Sequence, residues 1–255
     1  MSMPATLVVP CYNEAQRLDD EAFLSLVRGP DQLRLLFVND GSKDATLRRL
    51  TALAGQQPDR IDVLDLERNG GKAEAVRAGL RRALAEGAPL VGYLDADLAT
   101  PVSEIRRLVA VLRSNGAEVL LASRVSLLGR DIQRKPARHY LGRVFASVAS
   151  AVLRLTVYDT QCGAKLFRAS PALEAALADP FLSRWVFDVE LLGRLVTGTG
   201  TVPPLQESAV VEEPLLSWRD VPGSKLRPGH AAVAARDMAR IALDLQRRRR
   251  LARNG

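Results

Sequence analysis

The sequence predicts an α/β protein built on a mostly parallel sheet flanked by helices. Two observations carry that expectation. Through the first half of the chain, short apolar runs alternate with helical patterns, the order that βα units impose. Each apolar run is strand-sized, as at residues 6–10 and 33–38, and none approaches the roughly 20 residues that span a bilayer. At 255 residues, 47% hydrophobic and 25% charged, the chain has the composition of one large globular domain with a sizeable core.

Taken in order, residues 6–9 read as a first strand and 19–28 as a helix. A strand at 33–39, a helix at 44–53 and a strand at 61–66 follow. Then come a helix at 72–85, a strand at 90–94, a helix at 101–114 and a strand at 118–122. This repetition forms a Rossmann-like half. Beyond it, Leu141, Val144, Phe145, Val148, Val152 and Leu155 recur at helical spacing within 138–155, which predicts an amphipathic helix. Short mixed segments lead to a helix at 188–197, a strand at 203–211 and a loop at 214–229 broken by Pro and Gly. Residues 231–253 read as a basic helix with Val233, Met238, Ile241 and Leu245 opposite Arg236, Arg240 and Arg247.

The net charge of +7 is concentrated in that tail. Residues 223–255 hold 9 Lys/Arg and 2 Asp/Glu; subtraction from the totals of 36 and 29 leaves 27 of each sign elsewhere. A neutral body argues against a nucleic-acid partner, whereas a basic amphipathic tail ending in Arg247-Arg248-Arg249-Arg250 suits an anionic membrane surface. Cys11 and Cys162 have no metal-type spacing and read as small packed residues. The first strand starts too early for a signal peptide, so the expected location is cytoplasmic, peripheral on the inner membrane face if the tail binds lipid.

Ligands of open α/β sheets bind beyond the carboxyl ends of the strands. Four polar clusters fall there: Pro10-Cys11-Tyr12-Asn13-Glu14, Asn39-Asp40-Gly41-Ser42, Arg68-Asn69-Gly70-Gly71-Lys72 and Asp95-Ala96-Asp97. Tyr12 offers a stacking face, and Glu14 and Asp40 can accept hydrogen bonds from ribose hydroxyls or a base N–H. Asp95 and Asp97 suit a hard divalent cation, Mg²⁺ or Mn²⁺, bridging carboxylate and diphosphate. The chemistry fits a sugar nucleotide. No G-x-x-x-x-G-K-[ST] loop or G-x-G-x-x-G fingerprint supports a kinase or dehydrogenase.

Together with Val-Pro-Cys-Tyr-Asn-Glu and Val-Asn-Asp-Gly-Ser-Lys-Asp, these clusters resemble the inverting family 2 glycosyltransferases of GT-A fold. Ala122-Ser123-Arg124, Asp159-Thr160-Gln161-Cys162-Gly163-Ala164-Lys165-Leu166-Phe167, Arg184-Trp185-Val186-Phe187-Asp188-Val189-Glu190-Leu191 and Gly223-Ser224-Lys225-Leu226 are similar to the dolichyl-phosphate β-glucosyltransferase branch, which moves glucose from UDP-glucose to a polyprenyl phosphate. The resemblance runs from about residue 6 to 228. The chain is expected to divide into a donor half at about 1–122, an acceptor half at about 123–229 and a basic tail helix at 230–255. The resemblance implies that Pro10, Tyr12, Asn13, Glu14 and Asp40 hold the nucleoside, that Lys72 and Asp95 lie beside the donor, and that Asp97 is the main metal ligand, with Asp95. It places Arg124 at the phosphates and Asp188 at the acceptor-side carboxylate. Mannosyl relatives often carry a metal-binding Gln where this chain has Ala99.

A phosphate acceptor is already anionic and needs cations rather than a general base. Arg124, Arg130, Arg134, Lys165 and Lys225 are the candidates. A transferase with a small hydroxyl acceptor, and a silent nucleotide-sugar-binding module, are the alternative readings.

Overall fold

In a computed structural model, residues 3–133, 136–221 and 230–254 are described. The chain alternates β1 (Ala5–Cys11), α1 (Asp20–Arg28), β2 (Leu33–Asp40), α2 (Thr46–Gln56), β3 (Ile61–Leu66), α3 (Lys72–Ala85), β4 (Leu90–Leu94), α4 (Val102–Ser114) and β5 (Val119–Ser123). It continues with β6 (Asp131–Gln133), α5 (Pro136–Leu153), β7 (Ala164–Arg168), α6 (Pro171–Ala178), α7 (Phe187–Thr197), β8 (Val210–Pro214), β9 (Ser217–Arg219) and α8 (His230–Asn254). One seven-stranded sheet has the order β3-β2-β1-β4-β7-β5-β8, while β6 and β9 form a small parallel pair.

Local sequence accounts for much of this. β1, β2 and β4 lie inside the sheet and are almost wholly buried, so they read as unbroken apolar runs rather than alternating ones. Asp19 caps α1 by accepting from the Ala22 N–H at 3.0 Å, and Asp20, Glu21 and Arg28 complement the helix dipole. Gly79 lets α3 lie against β1 and β2: a Cβ there would come 2.4 Å from Val8 Cγ1.

Several expectations fail, each for a tertiary reason. The stretch taken as mixed contains β7, which enters antiparallel between β4 and β5, and the short helix α6. The strand expected at 203–211 lies at Val210–Pro214, paired parallel with β5. The loop expected from 214 contains β9. Helix α5 ends at Leu153 and is rotated from the expected stripe: Ala146, Ala149 and Leu153 are buried while Val144 and Val148 face outward.

The tail differs most. Met238, Ile241 and Leu245 are buried in the core cluster shared with α7, so three of the four stripe residues close on the protein itself, while Val233 is exposed. Burial of each such side chain contributes about 1.5–3 kcal/mol. Gly193 of α7 makes room, since a Cβ there would meet Leu245 Cδ1 at 2.4 Å. Arg249 is not part of a free basic end: its Nη2 donates to the carbonyls of Val152 and Leu153 at 2.9 and 3.0 Å, satisfying the last turn of α5.

Candidate active site

A cleft of about 930 Å³ opens at the carboxyl ends of β1, β2 and β4, between the sheet and the segment leading into α7. Its lining includes Pro10, Tyr12, Glu14, Asp40, Lys72, Asp95, Asp97, Arg124 and Asp188. Nine of the expected site residues therefore meet in one cavity, although they come from six separated segments.

At one end Asp40 organises the turn after β3. Its carboxylate accepts from the Gly70 N–H at 2.7 Å, the Gly71 N–H at 2.9 Å and Asn69 Nδ2 at 2.9 Å. Gly71 holds φ +88°, a conformation that favours glycine. Burial raises the Asp40 pKa, and the two backbone N–H groups work against that rise. Glu14 is gripped in bidentate fashion by Arg17, at 2.7 and 2.8 Å. Asn13 does not line the cleft. It holds φ +51° and pins the next loop: its N–H donates to Ser42 Oγ at 3.0 Å, and its Oδ1 accepts from the Lys43 N–H at 2.8 Å.

The centre of the cleft carries the paired carboxylates. Lys72 opens α3 and places Nζ 2.5 Å from Asp95 Oδ1. Burial works against its charge, but Asp95, Asp188 and Asp97 outweigh it and push the Lys72 pKa up. Burial raises the Asp97 pKa and the neighbouring Asp95 raises it further. Gly163 backs this site. Its carbonyl accepts from the Asp95 N–H at 3.0 Å, and a Cβ there would come 2.0 Å from Asp95 Oδ2. Two neighbouring carboxylates, Asp97 with its proton affinity raised by burial, form a donor set that fits Mg²⁺ or Mn²⁺. Among the described residues no group of three or more His, Cys, Asp or Glu gathers, so a cation held here would need diphosphate oxygens and water to complete its coordination.

On the far side, Asp188 lies in the first turn of α7 and Lys165 rises from β7 with Nζ 2.7 Å from Asp188 Oδ1. Tyr93 donates its hydroxyl to the same oxygen, and Gln161 Nε2 donates to Oδ2 at 3.5 Å. Burial, with the Asp188 charge behind it, raises the Tyr93 pKa well above its ordinary value and keeps that donor protonated. Lys165 is thus the buried counter-ion of Asp188 and also donates to the Cys162 carbonyl at 2.7 Å. It is buried and does not line the cleft, so in this structure its charge meets Asp188 rather than the cavity.

Arg124 does line the cleft, as half of a bidentate pair with Asp159 at 2.6 and 2.8 Å, its guanidinium 5.2 Å from the Trp218 ring centroid. Burial works against its charge, but Asp159 outweighs that and raises its pKa. Arg130 is absent from the cleft wall. Arg134 and Lys225 lie outside the described residues. Sequence reasoning missed the roles of Tyr93, Asp159, Arg184 and Trp218. Arg184 lines the cleft with its stem against Gly71, and its charge lowers the proton affinity of Asp40. Its position within the Arg184–Leu191 motif was the available signal; Tyr93, inside an apolar strand, carried none.

A parallel sheet with nucleotide-type clusters at its strand ends, an inserted antiparallel strand and an Asp-x-Asp beside a lysine define a GT-A glycosyltransferase. Solved structures agree on the fold. Glucosyl-3-phosphoglycerate synthase from Mycobacterium tuberculosis in complex with UDP matches with a TM-score of 0.67 at 18% identity, covering 95% of this chain and 80% of that one. The same enzyme in complex with Mn²⁺, UDP-glucose and phosphoglyceric acid matches with a TM-score of 0.66 at 19% identity, with coverage of 95% and 79%. The chain belongs to glycosyl transferase family 2, whose family model matches residues 6–174. Among curated relatives, a dolichyl-phosphate beta-glucosyltransferase of Trichomonas vaginalis is 32% identical over 93% of this chain and 70% of its own length. That of Homo sapiens is 30% identical over 88% and 69%. A dodecaprenyl-phosphate galacturonate synthase of Rhizobium johnstonii is 28% identical over 74% and 55%.

Proposed function

We propose that this glycosyltransferase moves glucose from UDP-glucose to a polyprenyl phosphate, with inversion at the anomeric carbon and with Mg²⁺ or Mn²⁺ as cofactor. The observation that carries the acceptor class is the state of Asp188. Both of its oxygens are engaged, by Lys165 and Tyr93 on one and Gln161 on the other, so it is poorly placed to take a proton. A hydroxyl acceptor needs a general base, whereas a phosphate oxygen attacks without one. The relatives named for dolichyl phosphate support the same choice.

In this reading residues 1–122 serve the donor and 123–229 the acceptor. Pro10, Tyr12, Glu14 and Asp40 receive the nucleoside, with Asn13 shaping the loop beside them. Asp97 and Asp95 hold the cation, which supplies Lewis-acid neutralisation of the departing diphosphate. Lys72 orients Asp95 and adds positive charge beside the phosphates. Arg124, held in place by Asp159 and Trp218, presents its remaining face to the incoming phosphate. Among the described residues no helix is long and apolar enough to cross a membrane. In this reading the lipid acceptor is met at the membrane surface.

The test is a panel assay with Mg²⁺ or Mn²⁺, several nucleotide sugars and either a short polyprenyl phosphate or a small hydroxyl acceptor, with released nucleoside diphosphate as readout. UDP-glucose with polyprenyl phosphate is expected to turn over fastest. Faster transfer to the hydroxyl acceptor, or faster turnover of GDP-mannose, overturns the reading.

A further inference from the structure

Twelve large apolar side chains are exposed among the described residues, and four of them line the cleft. Val144 is 63% exposed, Val148 46%, Trp185 44% and Val233 38%. They come from α5, from the segment before α7 and from the start of α8, so only the folded chain brings them together. Val144 and Val148 are one helical turn apart on α5 and face away from its packed side, where Ala146, Ala149 and Leu153 are buried. The same cavity also carries Lys72, Asp95, Asp97 and Asp188. A small polar acceptor has no use for such a wall, and exposed apolar patches of this kind mark binding surfaces. An amphiphile with a phosphate head and a hydrocarbon chain matches both parts of the cavity at once.

We infer that the Val144–Val148–Trp185–Val233 wall binds the isoprenoid chain of the acceptor next to its phosphate. This rests on the polyprenyl-phosphate reading above and adds the surface that selects the lipid. The occupant is the hydrocarbon chain because the wall is continuous with the charged part of the cleft. A second copy of the protein would bury the wall but leave the cleft blocked.

The test uses the full chain with UDP-glucose, Mn²⁺ and farnesyl phosphate, comparing wild type with the Val144→Ser/Val148→Ser double variant. Replacing two apolar side chains of the wall with smaller hydroxyl-bearing ones is expected to raise the acceptor KM about tenfold. The kcat is expected to stay within about twofold, and Val144→Ile/Val148→Ile should restore the wild-type KM. An unchanged KM in the serine variant overturns the wall while leaving the proposed activity intact. If wild type glucosylates no polyprenyl phosphate, the activity fails instead, and tryptophan fluorescence still decides the wall. Farnesyl phosphate should shift emission to the blue by covering Trp185, inorganic phosphate should not, and the serine variant should need about tenfold more ligand. No shift in wild type, or a wild-type dimer that the serine variant dissolves, overturns the inference.

Discussion

Lys165 and Asp188 form an ion pair of 2.7 Å in which the side chains are 2% and 6% exposed. The lysine is delivered by the antiparallel strand β7 and the aspartate by the first turn of α7, so the pair ties the sheet to the far wall of the cleft. Desolvating two charges is costly, and removing one partner leaves the other buried and uncompensated. Lys165→Met is therefore expected to destabilise the fold by about 3–5 kcal/mol. Adding Asp188→Asn should recover most of that loss without restoring transfer. Urea denaturation of wild type and the two variants measures it, and equal stability of single and double variants would contradict the pairing.

Asp97→Ala tests the cation. With Mn²⁺ present, UDP affinity in the variant should fall to the level that wild type shows without metal. Calorimetric titration with and without Mn²⁺ decides this, and identical affinities in both proteins under both conditions would remove Asp97 from the metal site.

Gly163→Ala separates catalysis from stability. The added Cβ would collide with the Asp95 carboxylate at 2.0 Å, so that carboxylate must move. Displacement of a reacting group by about 1 Å costs roughly 10²-fold in rate. The variant should melt close to wild type while kcat/KM for the donor falls by about that factor.

Burial pushes the Cys162 thiol up to about 11 from an ordinary value of 9.0. Iodoacetamide at pH 8 should label neither Cys162 nor the equally buried Cys11 until denaturant is added. Because the folded-state pKa is the higher one, this group's contribution to stability is complete below about pH 9 and is lost as pH rises towards 11. Mass spectrometry after alkylation checks the first expectation, and urea midpoints between pH 8 and 10.5 check the second.

Truncation after Gly229 should destabilise the protein rather than simply release it from lipid. Met238, Ile241 and Leu245 leave the core with α8, a loss of several kcal/mol at about 1.5–3 per side chain. A urea midpoint equal to that of the full chain would show that α8 is dispensable for folding.

The βα units were readable because their signals are local. Residues 61–66, 72–85 and 90–94 match β3, α3 and β4 end for end: β4, inside the sheet, shows as an apolar run, β3, at its edge, as a short run broken by two aspartates, and α3 as a periodic pattern. The clusters at strand ends were readable for the same reason, because topology alone sends those ends to one edge of the sheet. β7 was not readable: Ala164-Lys165-Leu166-Phe167-Arg168 carries charges whose partners lie on other elements, Asp188 for Lys165 and the carbonyls at the end of α4 for Arg168. Tyr93 looked like core until its hydroxyl met Asp188. The tail stripe looked equally suited to lipid or protein, because a periodicity shows that a face must be covered and not what covers it. The sequence by itself determined the α/β class, the strand-end carboxylates and the family. Tertiary packing decided that Lys165 neutralises Asp188, that Asn13 shapes rather than lines the cleft, and that α8 closes on α7, since these depend on contacts between segments far apart in the chain.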